Sequence, residues 1–231
     1  MRVVATVLTL LSLCAILISP QTAEAIPAIT CHCFTERGYE PSRPAAADPY
    51  YLASTQNTFF SIIFKTDKKS LVMKKQKGSS GDDLWVAYWL AVKTGSTADR
   101  LLDLKEQTAG SWKAVVSESA LSLKAAGQRF SAALAANLQS NQLAECVVDE
   151  VFLSRKLLDE RELADLRKGG VTNQELIIST LIARKQKHSA KQIYLEIKGG
   201  KKSWGALLTD AGVDAVNLES EIKNTLLRGV V

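Results

Sequence analysis

Two stretches decide the fold. The first is Ser96-Thr97-Ala98-Asp99-Arg100-Leu101-Leu102-Asp103-Leu104-Lys105, which runs on to Gly110-Ser111-Trp112. The second is Ser189-Ala190-Lys191-Gln192-Ile193-Tyr194-Leu195-Glu196-Ile197-Lys198, which runs on to Ser203-Trp204. Each opens with a side-chain acceptor followed three residues later by a carboxylate or amide, Asp99 or Gln192, a pattern that satisfies orphan N–H groups at a helix start. Counted from Ser96 and Ser189, Leu101, Leu102 and Leu104 match Tyr194, Leu195 and Ile197, and Lys105 matches Lys198. Cap, apolar stripe, terminal cation, turn and a second Ser-Trp cap are therefore shared, and the unit is a helical hairpin.

Weaker copies lie between them. Asp159-Glu160-Arg161-Glu162 opens a segment carrying Leu163 and Leu166, whose stripe is offset by one residue from the other two. Arg167-Lys168-Gly169-Gly170 closes it, and Thr172-Asn173-Gln174-Glu175 is a capping box for the next helix. Ser140-Asn141-Gln142 reads as another second-helix start with no obvious first helix before it. Second helices thus begin near residues 111, 140, 172 and 203, a period close to thirty. Such a period made of two helices indicates stacked hairpins, each too small to bury its apolar face alone. It differs from the 34 residues of tetratricopeptide repeats, whose glycine and tyrosine positions are also unmatched.

The strings Thr94-Gly95-Ser96 to Ser111-Trp112 and Ser189 to Ser203-Trp204-Gly205-Ala206 resemble the Thr-Gly-x-Ser…Leu-Leu…Gly-x-Ser-Trp hairpins of uncharacterised secreted bacterial proteins, over about a third of the chain. The second string lacks the Thr-Gly lead and the first lacks the Gly-Gly turn. The resemblance implies an exported helical protein and supplies no catalytic residues.

Four of the five prolines, Pro27, Pro41, Pro44 and Pro49, precede Tyr50, and none follows Pro49. Residues 26–49 are therefore expected to form an extended arm, and residues 50–231 an all-helical domain with a sub-boundary near 140. Apolar spacing in Tyr51 to Phe64 and in Asp82 to Val92 supports helices there. Trp112 and Trp204, next to their caps, are placed to pack into the preceding stripe. The expected class is all-α, stacked short helical hairpins.

Ahead of the arm, Arg2, the apolar run Val3 to Ile18, Pro20 and Ala23-Glu24-Ala25 make a secretory signal over residues 1–25. The expected location is periplasmic or secreted, with no transmembrane segment in the mature chain. The 231 residues carry a net charge of +5, with 46% hydrophobic and 23% charged residues, a composition that excludes general disorder and a disulfide-dense knot. Lys65 to Lys77 and Arg184 to Lys202 are basic, while Leu143 to Leu166 is acidic. Export removes nucleic acid as the expected partner of the basic spans, which read as solvated helix faces.

Chemistry is concentrated in Cys31-His32-Cys33. In an oxidising compartment Cys31 or Cys33 pairs with Cys146 to fasten the arm to the body, contributing roughly 4 kcal/mol through the unfolded state. The alternatives are a labile Cys31–Cys33 disulfide, a copper or zinc site using Cys31, His32 and Cys33, and a homodimer through the odd thiol. No phosphate loop, His-Glu-x-x-His or Gly-x-Ser-x-Gly motif occurs, so the sequence points away from an enzyme and implies no cofactor. Trp85, Tyr88 and Trp89, with Lys74, Lys75 and Lys77, are the candidate binding surface. The function expected is a non-catalytic binding or scaffold protein whose partner is another envelope or secreted protein. The alternative is thiol-redox or metal handling through Cys31-His32-Cys33.

Overall fold

The computed structural model describes residues 34–226 apart from 109, 120, 121 and 124. Twelve helices and no strand occur among the described residues, so the chain is all-α. The first, α1 (Asp48–Phe64), has Pro49 in its opening turn, where the missing N–H costs nothing. Nine of its residues are buried, including Tyr51, Phe59, Phe60 and Phe64. Five pairs of helices, each joined by a short connection, follow in order: α2 (Lys68–Gln76) with α3 (Gly81–Thr94), α4 (Ala98–Gln107) with α5 (Trp112–Glu118), α6 (Gln128–Ala135) with α7 (Ser140–Ser154), α8 (Glu160–Lys168) with α9 (Asn173–Gln186), and α10 (Ala190–Lys198) with α11 (Trp204–Asp210); packing also joins successive pairs, α3 against α4 and α9 against α10. The last described element is α12 (Leu218–Leu226).

Helix α1 is the axle of this stack. It packs against α2, α3, α9, α11 and α12, and Phe59 meets Phe152 of α7 with ring centroids 5.7 Å apart. One apolar cluster runs from Ala47 to Leu226 and continues through both sides of residue 140. Each fully buried leucine or isoleucine stabilises it by about 1.5–3 kcal/mol before entropy is counted.

The repeat extends one hairpin further upstream than the sequence pattern suggests. First helices are capped at Asp67, Thr97, Asp159 and Ser189, whose side chains accept from the backbone N–H three residues on. The cap of α4 is Thr97, not Ser96, which moves the register by one. Leu71, Leu101, Leu163 and Ile193 are then equivalent, four residues after each cap and all buried, and the offset inferred for Leu163 disappears. Leu195, matched to Leu102 in the sequence reading, is 55% exposed. The first-helix turns also agree. Gly78, Asn137, Gly170 and Gly200 have positive φ, and the next N–H in each case donates to a carbonyl five residues back. Glycine at three of these positions avoids the Cβ penalty of that conformation.

The missing first helix before Ser140 is α6. It starts at Gly127 without a side-chain cap of its own. Its N–H partner is instead Glu150 from α7, whose Oε1 accepts from the Arg129 backbone at 2.8 Å. Gly127 has φ 92, and a Cβ there would fall on the Glu150 carboxyl group, so both conformation and space call for glycine.

The described part of the proline-rich arm is not extended. Residues 40–48 turn repeatedly, with N–H groups of Arg43, Ala46 and Asp48 donating to carbonyls three residues back. Arg43 pairs with Glu36 and Glu40, and Ala47 is buried. Prolines at turn positions fix φ without forbidding these bonds.

Two hydroxyls on α1, Thr55 Oγ1 and Thr58 Oγ1, are buried with no hydrogen-bond partner among the described residues. Thr55→Val or Thr58→Val is therefore expected to be neutral or stabilising by up to about 1 kcal/mol in urea unfolding, because the shape is kept and an unsatisfied group removed. Gly127→Ala is expected to cost more than the roughly 1 kcal/mol lost by a cap deletion such as Ser111→Ala, and Glu150→Ala to relieve part of that excess in a double-mutant cycle.

Candidate functional site

A polar cleft of about 510 Å³ opens where the starts of α3, α7 and α9 meet the flank of α1. The hairpin geometry puts it there: three second helices point their first turns into the same space. Helix α3 contributes Ser80, Gly81 and Asp82, α7 contributes Asn141 and Glu145, and α9 contributes Thr172, Asn173 and Gln174. Gln56 of α1 and Lys75 of α2 complete the wall.

Several of these groups are held by their neighbours. Gln174 Nε2 donates to Gln56 Oε1 at 2.9 Å, joining α9 to α1. Lys75 Nζ donates to Oδ1 of buried Asn57 at 2.6 Å. Arg167 links Asn173 to Asp149, donating to Asn173 Oδ1 at 2.6 Å and, through Nε and Nη2, to Asp149 Oδ1 at 2.9 and 2.8 Å. Asp83 is turned away from the cleft and bound twice: it accepts from Trp112 Nε1 at 2.9 Å and pairs with Lys105 at 2.6 Å.

Asp82 differs from its neighbour. Burial raises its pKa above the usual aspartate value, the charge of Asp83 adds to the rise, and Lys75 opposes it. The charged form of Asp82 is thus a cost that the fold carries.

A larger groove of about 760 Å³ lies between the turn segment and the α10–α11 hairpin. Its carboxylates are already engaged. Asp48 accepts from the backbone N–H groups of Trp204 and Gly205 at 3.1 and 2.8 Å, and Asp210 pairs with Lys202 at 2.5 Å. Burial raises the Asp48 pKa and these two N–H bonds partly offset the rise.

The surface proposed from sequence is divided by the fold. Trp85 and Trp89 are 1% and 7% exposed because α3 is covered by α1 and α7. Trp85 packs on Phe59, Phe60 and Phe64, and Trp89 Nε1 donates to the Ala126 carbonyl at 2.9 Å, so both are core rather than binding surface. Tyr88 is half-buried against Phe60 and Phe64. Lys74 pairs with Asp99, Lys75 enters the cleft, and Lys77 stays exposed. Cys146 lies half-buried on α7, where burial and then the charge of Asp149 raise its thiol pKa. Cys31, His32, Cys33 and residues 1–25, read from sequence as a secretory signal, lie outside the described residues. No helix among the described residues is long and apolar enough to cross a membrane.

Gln56, Asp82, Asn141, Glu145, Asn173 and Gln174 were not singled out as a site by sequence. The Asp82-Asp83 doublet was visible, but acidic residues in a first turn are explained by the helix dipole alone. The chain matches no family model, no curated protein and no solved structure.

Asp82 supplies a pH test. Its raised pKa means that the folded chain holds this proton more tightly than the unfolded chain, so the stability it contributes is present below the ordinary aspartate pKa of about 3.9 and lost as pH rises through the higher folded value. Asp82→Asn is expected to raise the thermal midpoint at pH 7 and to match the parent near pH 3. A lower midpoint at pH 7 would contradict the geometry.

Proposed function

We propose that the chain is an exported, non-catalytic binding or scaffold protein of the bacterial envelope, and that its partner docks at the cleft between α3, α7 and α9. The observation that carries this reading is the cleft lining. It combines side-chain amides, hydroxyls, one ammonium and two carboxylates, set on five helices and their capping residues. Such a wall offers both donors and acceptors at positions held by the surrounding core. Most of the lining is placed by the repeat itself, since it comes from the starts of three second helices. Export is supported by the residue pattern of the first 25 positions.

The test is site-resolved crosslinking in the producing cell. A photoreactive side chain at exposed Asn141, on the cleft rim, is expected to yield a discrete adduct in the envelope or secreted fraction. The same group at exposed Leu195 on α10, outside the lining, is expected to yield none. Equal yields at both sites, or a chain retained in the cytoplasm with residues 1–25 intact, would contradict the reading.

A further inference from the structure

We infer that the outer face of α2, with the corner before it and the adjoining side of α3, docks on an anionic phospholipid surface. This face is separate from the cleft and independent of what the cleft holds. Residues 65–77 contain six lysines and one aspartate, and the fold divides them by use. Lys74 pairs with Asp99, and Lys75 turns to buried Asn57. Lys65, Lys68 and Lys77 have no hydrogen-bond or ion-pair partner among the described residues. Lys69 has only Asp67, whose carboxylate is already bound by the N–H and hydroxyl of Ser70. Lys65, Lys69 and Lys77 are exposed. Lys68 and Lys69 also occupy the first turn of α2, where the helix dipole disfavours cations and no acidic residue offsets them. Solvation of a helix needs charge of either sign, whereas this face keeps one sign at some cost to its own helix.

Apolar side chains stand among these cations. Lys69, Met73 and Lys77 follow at one-turn intervals along α2, and Met73 is 44% exposed. Thr66 Oγ1 and Tyr88 Oη lie 3.4 Å apart, which ties α3 to the corner before α2. Val92, one turn further along that side of α3, is 62% exposed, and the next residue, Lys93, lies over the Trp89 ring. One exposed apolar side chain on a soluble domain needs no explanation. Two of them on a face of single charge sign, beside a tyrosine, match what a headgroup layer takes up: ammonium groups meet phosphates while methyls and lysine stems reach below them. A soluble acidic polymer supplies the counter-charge but leaves Met73 and Val92 in water. The other exposed lysines provide a matched control. Asp48 at the start of α1 accepts from Trp204, Gln186 at the end of α9 donates to Leu207 of the same hairpin, and Lys201 lines the groove beside Asp48. Lys187 and Lys201 therefore lie at the far end of α1 from Lys65, about 25 Å along its 17 residues.

Sedimentation with vesicles at pH 7 and low salt tests this on the chain as recovered from the producing cell. Every variant carries the same amino terminus, so differences between variants read this face alone. Vesicles of equal parts phosphatidylglycerol and phosphatidylcholine are expected to bind the chain more tightly than vesicles of phosphatidylcholine alone. Lys65→Asn, Lys69→Gln and Lys77→Gln are expected to weaken binding to the anionic vesicles by about fivefold each, and together on the order of a hundredfold. Met73→Ser with Val92→Ser is expected to weaken it about tenfold with the salt dependence of the parent, because apolar contact rather than charge is lost. Lys187→Gln with Lys201→Gln is expected to leave binding within about twofold of the parent, since these lysines lie beyond a Debye length from the docked face. All the substituted side chains are exposed, and thermal midpoints check that the fold is kept. Soluble polyglutamate is the second probe, expected to bind more weakly than the anionic vesicles. No preference for the anionic vesicles, an unchanged affinity in the triple lysine variant, or an equal loss per lysine in the Lys187 and Lys201 variant would overturn the inference. Polyglutamate binding as tight as that of the vesicles, with no effect of the two serine substitutions, would assign the face to a soluble acidic partner and overturn it as well.

Discussion

Short helices cannot satisfy their own ends, and this constraint organises the molecule. Helices of seven to ten residues make up most of the stack, so a large share of their backbone N–H and C=O groups lies in first and last turns without an internal partner. Local caps answer part of the need. The remainder is met by side chains from a neighbouring element. Glu150 of α7 closes the start of α6, Glu162 of α8 accepts from the Lys191 N–H at the start of α10, and Asp48 of α1 closes α11. In the other direction, Arg184 of α9 donates to the carbonyls of Lys156 and Leu157 after α7 and of Thr225 in α12, and Tyr194 of α10 to the Gly169 carbonyl after α8. Removing one element therefore exposes polar backbone in the next as well as apolar surface, and the hairpins depend on one another through both terms.

The same arrangement produces the cleft. Where a neighbour supplies a carboxylate, as Asp48 does for α11, a helix start is closed. Where the first turns of α3, α7 and α9 face each other, the space between them stays open and fills with their polar side chains. Asp82 and Asp83 show how finely this divides neighbouring residues. Asp83 points into the next hairpin and is bound by Lys105 and Trp112, so it stabilises the stack. Asp82 lines the cleft, where burial raises its pKa and Lys75 opposes the rise.

Much of the architecture was legible because hairpins announce themselves through caps. The second-helix starts read near 111, 140, 172 and 203 match α5, α7, α9 and α11 to within a residue. What stayed hidden was whatever depends on distant residues. Helix α6 has no local cap, because its carboxylate comes from Glu150, and Gly127 reads as a breaker rather than a start. The α2–α3 hairpin was masked by its run of lysines, although Asp67 and Ser80 cap both helices. The one-residue register error arose because Ser96 and Thr97 are both acceptable caps, and only the fold shows that Thr97 accepts from the Arg100 N–H. Trp85 and Trp89 looked like a surface because their stripe is broad. They are buried because α3 is covered on two sides. The cleft was out of reach since its wall draws on five separate segments, and no local pattern distinguishes a first-turn aspartate held by a neighbouring element, as Asp83 is, from one that lines an open cleft, as Asp82 does.

The central claim is that neighbouring elements close each other's helix ends and so unfold together. Native-state hydrogen exchange on the Glu150→Ala chain tests it most directly. The account expects protection to fall in α6 and, to a comparable degree, in α5 and α7, which pack on it. Loss confined to the first turn of α6, with α5 and α7 exchanging as in the parent, would show that the hairpins are independent and would contradict it.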